Sequence, residues 1–482
     1  MFLSTLLTEV HKMDYKKSGL KIGLEIHQQL KTHKLFCKCP SEITQAANDF
    51  TIKRELRSLA GESGKIDIAA LYEKTKGLHY IYEGYNNKTC LVEMDEEPPH
   101  ELNKEALEIA LLIAKMLHCK FPDVIQVMRK TVVDGSNTSG FQRTVLIGKN
   151  GYLKTSAGTI GIETVILEED SARRVGEDAD SVTFRLDRLG IPLVEITTKP
   201  DIKTPEQAKE AAELIGSILR STGKVLRGLG TIRQDLNISI KGRNRIELKG
   251  VQDLRNIPKI VEIEMERQKS NPKEESHVRN VKPDLDSKYL RPIASSARMY
   301  PETDLPILEL DMKLIKSLKI PELLENKEKR FMKIGLSESL ANQMARGEAH
   351  ELFEKLIHKY KKIKPSIIAD TIASIDNYVQ KKTGLHSCAP DEQYEMVFEL
   401  LDKNKIVKET IPDIFIDFSK GLNFEDIKKK HQKLTKSELA KEIEKIKTEN
   451  KDAHEGKLIG IAMGKLRGKA EPQDIMNLIK RK

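Results

Sequence analysis

Glu25 and His27 stand two residues apart in the stretch KIGLEIHQQL, residues 21–30. Read with a period of two, Ile22, Leu24 and Ile26 take one face, while Gly23, Glu25, His27 and Gln29 take the other. That alternation marks a half-buried strand. A carboxylate beside an imidazole on the open face suits divalent-metal chemistry. Histidine is an uncommon Mg²⁺ ligand, and the mixed set suits Mn²⁺ as well. His27 also fits two other roles, a structural core histidine or a substrate contact.

The pattern recurs. In TIRQDLNISI, residues 231–240, Ile232, Leu236, Ile238 and Ile240 oppose Arg233, Asp235, Asn237 and Ser239. In RIELK, Arg245, Glu247 and Lys249 oppose Ile246 and Leu248, and in IPLVEI Glu195 shares a face with Leu193 and Thr197. IGIETVILEED ends in Glu168, Glu169 and Asp170, and alternation cannot say which of them points the useful way. An antiparallel sheet packed on one side and open on the other produces such strands. Its polar face can hold a divalent metal and a nucleotide, with carboxylates fixing the metal and cations offsetting phosphate charge in phosphoryl transfer. For one strand alone, a solvated face with chance charge pairs explains the pattern as well. Four strands together point to a site.

Other chemistries lack their signatures. There is no G-x-x-x-x-G-K-[ST] loop, no G-x-G-x-x-G after a strand and no G-x-S-x-G elbow. Three cysteines gather early, Cys37 and Cys39 in LFCKCPSE and Cys90 in KTCLVEMDEEPPH. Zinc wants four ligands, so Glu93 would have to complete the set. Otherwise these are ordinary free thiols in a reducing compartment. Cys119 and Cys388 read as inert, and five cysteines in so long a chain make no disulfide framework.

The elements that carry these residues can be placed along the chain. Its 482 residues are too many for one ordinary core, and roughly two to four domains are expected. A composition of 39% hydrophobic and 32% charged residues is that of a soluble globular protein, and no apolar run is long enough to span a membrane. No leader peptide is recognisable, Met13 offers an alternative start, and residues 1–20 read as an N-terminal extension. The expected location is the cytoplasm. Residues 21–310 read mostly as strands, with helices at about Asn103–His118, from Thr204 to near Gly223, and over Pro258–Gln268. Residues 269–290, KSNPKEESHVRNVKPDLDSKYL, are polar and unperiodic, a linker or long loop. Residues 311–425 read as short helices. From Asp426 to Lys482 there are 16 Lys/Arg against 9 Asp/Glu, net +7, within a chain whose whole balance is 82 − 73 = +9. Such a tail suits a polyanion such as RNA; a solvated lysine-rich helical surface explains it equally well.

IGLEIHQQL, LFCKCPSE, CLVEMDEEPPH, VMRKTVVDGSNTSGFQRT, LEEDSARR, LDRLGIPLVEITTKPD, RQDLNISI, ELKGVQDL and ARMYPETDLP occur in that order. Together they resemble the GatB/GatE family of tRNA-dependent amidotransferase subunits. IHQQL, DGSNTSGFQRT and ARMYPETDLP look closer to the archaeal GatE branch. The resemblance implies an α+β fold: an antiparallel-sheet, glutamine-synthetase-like catalytic cradle, a helical domain, and a small YqeY-like tRNA-binding tail at 426–482. It implies ATP-dependent conversion of Glu-tRNA(Gln) to Gln-tRNA(Gln), by phosphorylation of the glutamyl side chain and amidation with ammonia. ATP and Mg²⁺ are the implied cofactors. The implied partner is a GatD-type asparaginase-like subunit in a heterotetramer of two of each, with no membrane partner. The competing reading is a non-catalytic tRNA-binding scaffold subunit, but a degenerate copy should have lost Glu25, His27 or Glu195.

Carried over, the family's catalytic residues fall on Glu25, His27, Glu168, Glu169 and Glu195, with Glu25, His27, Glu169 and Glu195 as the Mg²⁺ set. Arg143, Arg233, Asp235, Asn237, Glu247 and Lys249 stand at motif positions and are assigned to substrate or ATP contacts. Some GatB proteins place zinc where Cys37, Cys39 and Cys90 lie, and here Glu93 replaces the fourth cysteine. GatE proteins usually carry an inserted domain similar to one of bacterial aspartyl-tRNA synthetases; in its place this chain has only 269–290.

Overall fold

The computed structural model describes residues 14–57, 64–293, 299–347, 349–385, 389–451 and 453–480. Residues 1–13 of the expected extension, and Cys388, lie outside the described residues. The chain divides into two compact units, 1–322 and 323–482.

The first unit is built on a ten-stranded sheet. Its strands are β1 (Lys21–Gln29), β2 (Val127–Thr131), β3 (Phe141–Thr155), β4 (Gly158–Glu169), β5 (Pro192–Thr198), β6 (Ile232–Ser239), β7 (Ile246–Val251), β8 (His277–Val281), β9 (Ser287–Pro292) and β10 (Met299–Pro301). Across the sheet the order is β9-β8-β7-β6-β1-β5-β4-β3-β2-β10. The sheet is mixed, which corrects the expectation of a purely antiparallel one. β7 and β8 run parallel because the helix α3 (Ile257–Ser270) carries the chain back between them. Residues 269–290 are likewise not a linker. After the end of α3 they supply β8 and most of β9, the strands at one edge, whose mostly polar residues, half-buried as often as exposed, hide any alternation.

Helices α1 (Lys104–Met116), α2 (Pro205–Ser221) and α3 pack on the sheet's apolar face. Ile22, Leu24 and Ile26 of β1 are at most 1% exposed there, each such side chain contributing about 1.5–3 kcal/mol by burial. The helices start where the sequence says. Asn103 Oδ1 accepts from Ala106 N at 3.1 Å, and Thr204 Oγ1 accepts from Gln207 N at 3.1 Å. Gln207 Oε1 accepts from Lys203 N rather than from the cap residue itself. Gly151 lets the β3–β4 hairpin pass the end of α1, since a Cβ there would sit 2.4 Å from the Leu117 carbonyl oxygen. A separate four-stranded sheet, Phe50–Arg54, His79–Gly84, Ser181–Arg185 and Arg173–Glu177, closes over Tyr80, Tyr82, Val182 and Phe184.

The second unit is helical. One core gathers Phe331, Phe353, Phe398 and Phe415. Another sits among the helices Lys436–Glu449, Glu455–Lys465 and Pro472–Lys480, around Leu439, Ile443, Ile446 and Ile475. Among the described residues no helix is long and apolar enough to cross a membrane.

Candidate active site

β1 lies between β5 and β6, so Glu25 and His27 each have a partner on both sides. His27 is opposite Glu195 and Arg233, and Glu25 is opposite Thr197 and Asp235. Directly opposed residues share a face, so these side chains rise together from the floor of a cleft of about 460 Å³. β4 adds Glu168, opposite Leu193, and β2 adds Lys130, opposite Gln142.

His27 Nε2 lies 3.3 Å from Glu195 Oε2, 3.6 Å from Glu25 Oε1 and 3.7 Å from Glu168 Oε1. Lys130 Nζ lies 2.7 Å from Glu168 Oε2 and 3.7 Å from Glu195 Oε2. Burial, and then the Glu195 charge, pushes the Glu25 carboxyl up to about 7. Burial pulls His27 down, but the hydrogen bond to Glu195 and the surrounding carboxylates outweigh it and carry the imidazole up to about 9. Burial opposes the charge on Glu195, yet Lys130 and His27 hold its carboxyl well below the usual range. An anionic pocket that draws a proton onto its histidine is one that a cation can enter in the proton's place.

The donor set fits a hard divalent ion. Glu25, His27 and Glu195 offer ligand atoms all within 4.8 Å of one another, and Glu168 borders them. Carboxylate oxygens with one imidazole suit Mg²⁺ or Mn²⁺ better than a soft-ligand metal.

The cleft's far end is built of ion pairs. Lys249 Nζ lies 2.5 Å from Asp235 Oδ2 and 2.8 Å from Glu247 Oε1. Burial disfavours that ammonium, but Asp235 and Glu247 raise it above the ordinary lysine range. Arg233 Nη2 donates to Asp170 Oδ1 at 2.8 Å, and Gln29 Nε2 donates to Asp170 Oδ2 at 2.6 Å.

Thus Glu25, His27, Glu168, Glu195, Arg233, Asp235, Glu247 and Lys249 converge on one cleft. Three expected residues do not. Glu169, expected as a metal ligand and catalytic residue, turns to the opposite face, because neighbours in a strand alternate. There its Oε2 accepts from Arg143 N at 3.1 Å. Arg143, expected to touch substrate or ATP, is only 5% exposed and spans Glu169 and Glu302, with Nε donating to Glu302 Oε2 at 2.9 Å. Asn237 shares the polar face but lies beside Gly23, beyond the cleft lining. The reading of the sequence missed Lys130 and Arg291 and left Asp170 undecided, and all three line the cleft. Lys130 sits in VMRKT, where Arg129, Lys130 and the polar flank blur any alternation. Asp170 lies just past a strand end, where period-two counting stops.

The thiols gather elsewhere in the first unit. Cys37, Cys39, Cys90 and Glu93 bring their ligand atoms within 4.8 Å of one another. Cys37 Sγ donates to Glu93 Oε1 at 2.8 Å, and Cys90 N donates to Glu93 Oε2 at 2.7 Å. Hydrogen bonds from Cys37 and then Cys90 pull Cys39 down to about 4, while hydrogen bonds with Cys39 and then Cys90 raise Cys37. The fully buried Lys34 ammonium lies 3.3 Å from Glu93 Oε1. Three sulfurs and one carboxylate are a tetrahedral zinc donor set. Cys119 is buried among apolar groups, which raises its thiol to about 12 and leaves it unreactive.

A family model described as the GatB/GatE catalytic domain matches residues 20–316. The chain is 37% identical to the E-type subunit of glutamyl-tRNA(Gln) amidotransferase from Methanocaldococcus jannaschii, with 98% of this chain and 99% of that protein covered. It is 36% identical to the protein of the same name from Saccharolobus islandicus (94% and 96% covered) and 35% identical to that of Saccharolobus solfataricus (97% and 98% covered). The alignment with the M. jannaschii protein runs over 630 positions against the 482 residues here, so at least 148 positions (630 − 482) have no counterpart in this chain.

Proposed function

The chain belongs to the GatB/GatE family, and from that premise we propose that its cleft is the kinase and amidation site of a glutamyl-tRNA(Gln) amidotransferase. The enzyme converts Glu-tRNA(Gln) to Gln-tRNA(Gln) with ATP. A carboxylate is a poor electrophile. Phosphorylation of the glutamyl side chain turns one oxygen into a phosphate leaving group, which ammonia displaces to leave the amide.

The observation that carries this reading is the convergence of Glu25, His27, Glu168 and Glu195 from three strands onto one point. A divalent cation held by Glu25, His27, Glu195 and Glu168 supplies charge neutralisation for phosphoryl transfer when bound. The protein's own groups do the rest. Lys130 compensates the charge that Glu168 and Glu195 bring to the cleft. Arg233 is held toward the cleft by Asp170, which fixes a guanidinium where a phosphate or carboxylate can meet it.

Around this site we read 21–310 as a glutamine-synthetase-like cradle, 311–425 as a helical domain and 426–482 as a YqeY-like tRNA-binding tail. Ammonia would come from a GatD-type asparaginase-like subunit, two copies of each forming the complex, in the cytoplasm where aminoacyl-tRNA is used. The Cys37, Cys39, Cys90 and Glu93 cluster would hold structural zinc.

The deciding test is Glu195→Gln. With ammonium as nitrogen donor, glutaminyl ester formation should fall at least about 100-fold, while glutamyl-tRNA(Gln) affinity stays within about twofold. Unchanged turnover removes Glu195 from the mechanism.

A further inference from the structure

The cleft is crowded with charge, but most of that charge is already neutralised by neighbours. Four cationic chains line it: Lys130, Arg233, Lys249 and Arg291. Lys130 faces Glu168 and Glu195, Arg233 is held by Asp170, and Lys249 is held by Asp235 and Glu247. Arg291 differs: among the described residues its guanidinium has neither a hydrogen bond nor an ion pair. Its charge is felt at Glu247, where burial opposes ionisation but Lys249, and to a smaller degree Arg291, lower the carboxyl.

The lining acids, Glu25, Glu168, Asp170, Glu195, Asp235 and Glu247, number six, and still outnumber those four cations when His27 is counted beside them. A polyanion entering such a cleft is repelled unless some cation can turn fully toward it. Paired cations give up part of an existing interaction to do so; an unpaired one does not. Arg291 is also held in place, on β9, where its backbone register against Val278 of β8 sets it at the wall of the cleft. An unpaired planar fork beside open volume is what phosphate oxygens bind in bidentate fashion.

We propose that Arg291 binds the polyphosphate of the nucleotide, at the β8–β9 wall of the cleft. The proposal deepens the ATP-dependent reading above and rests on it. It also gives the segment 269–290 and its continuation a role: the short crossover returns the chain to the sheet as an edge hairpin that delivers this arginine.

The test uses the full chain with glutamyl-tRNA(Gln), Mg²⁺ and ammonium, comparing wild type, Arg291→Ala and Arg291→Lys. Mg-ATP binding is also measured directly by calorimetry. Arg291→Ala should raise KM for ATP about tenfold or more, weaken Mg-ATP binding in parallel, and leave kcat within about threefold. Arg291→Lys, which keeps the charge and loses the fork, should fall between the two. KM for glutamyl-tRNA(Gln) should stay within about twofold. If instead the tRNA KM rises and the ATP KM does not, the phosphate at this wall belongs to RNA and the proposal is wrong. Normal ATP KM in both variants overturns it while leaving the reaction itself intact. A wild type that neither binds nor uses Mg-ATP overturns both this proposal and the reading beneath it.

Discussion

Glu168 and Glu169 are neighbours in the chain whose carboxylates serve opposite faces of one sheet. Glu168 Oε2 meets Lys130 Nζ at 2.7 Å in the cleft, and Glu169 Oε2 accepts from Arg143 N at 3.1 Å behind it. Strand geometry enforces the split, and it separates two adjacent acids into a cleft residue and a buried ion-pair residue. Behind the sheet, Glu302 receives both Arg129 and Arg143, and Arg143 also stands over the ring of Phe141. Such a buried network holds the strand on which Glu168 rides.

The two glutamates should therefore respond differently to the same change. Glu168→Gln should lower turnover at least about 100-fold and weaken Mn²⁺ binding about tenfold or more. Glu169→Gln should leave Mn²⁺ affinity within about threefold and cost about 1–3 kcal/mol of stability, since it removes the charge facing Arg143. Calorimetric Mn²⁺ titration and thermal melts of both variants check this. A matched loss of metal affinity in Glu169→Gln would contradict the assignment.

How much of this the residues announce by themselves depends on patterning. β1 and β6 declare both of their faces because apolar and polar residues alternate over most of their length, broken only by Gln28 and Gln234 on the apolar faces, and the structure pairs His27 with Glu195 and Glu25 with Asp235. Glu168, Glu169 and Asp170 defeat that reading: three acids in a row carry no phase, and only the pairing of Glu168 with Leu193 and Thr144 supplies it. β8 and β9 are hidden for another reason. They lie at one edge of the sheet, and HVRNV and SKYLRP bury too few side chains to show a period. Arg291 is missed with them. Arg143 misleads because an arginine in a polar motif reads the same whether it meets a ligand or a buried glutamate.

The thiol cluster makes its own prediction. If Cys37, Cys39, Cys90 and Glu93 hold zinc, the purified chain should carry close to one zinc per molecule by elemental analysis, and Cys90→Ser should lower that content at least about tenfold. Chelation should reduce the melting temperature of wild type but not of the zinc-poor variant, because metal bound to the native state stabilises it. A zinc-free protein whose melting ignores chelator would leave three thiols and a carboxylate paired to Lys34.

In the second unit, Asp417 Oδ2 lies 2.7 Å from His431 Nε2, and Lys430 Nζ lies 2.8 Å from the same carboxylate. Burial raises the Asp417 carboxyl, but Lys430 and His431 outweigh it and hold it below the usual range. A depressed carboxylate contributes stability above its unfolded value of about 3.9 and loses it as pH falls through the lower folded value. Asp417→Asn should therefore cost about 1.5–3 kcal/mol at pH 7. The gap in melting temperature from wild type should close below about pH 4. Melts across that range test it, and a gap independent of pH would mean that the side chain acts through shape alone.

The lysine-rich tail is where charge and fold can be separated. Its three helices enclose their own apolar core, so Lys436, Lys441 and Lys445 stand exposed on the first helix without ion pairs among the described residues. Lys428, Lys433 and Lys436 also border, with Lys405, a cavity of about 370 Å³. Phosphates met by these side chains would release counterions, so affinity should fall steeply with salt. Deleting 433–482, which leaves Ile427 and the Asp417–His431 pair in place, should weaken glutamyl-tRNA(Gln) binding about tenfold or more at low ionic strength and flatten the dependence of log affinity on log salt. Replacing Lys436, Lys441 and Lys445 by Glu, which leaves the apolar core untouched, should reproduce most of that effect without changing the melting temperature by more than a few degrees. Equal salt slopes in wild type and both variants would show these lysines to be a solvated surface, and the tRNA contacts would then have to come from elsewhere in the chain.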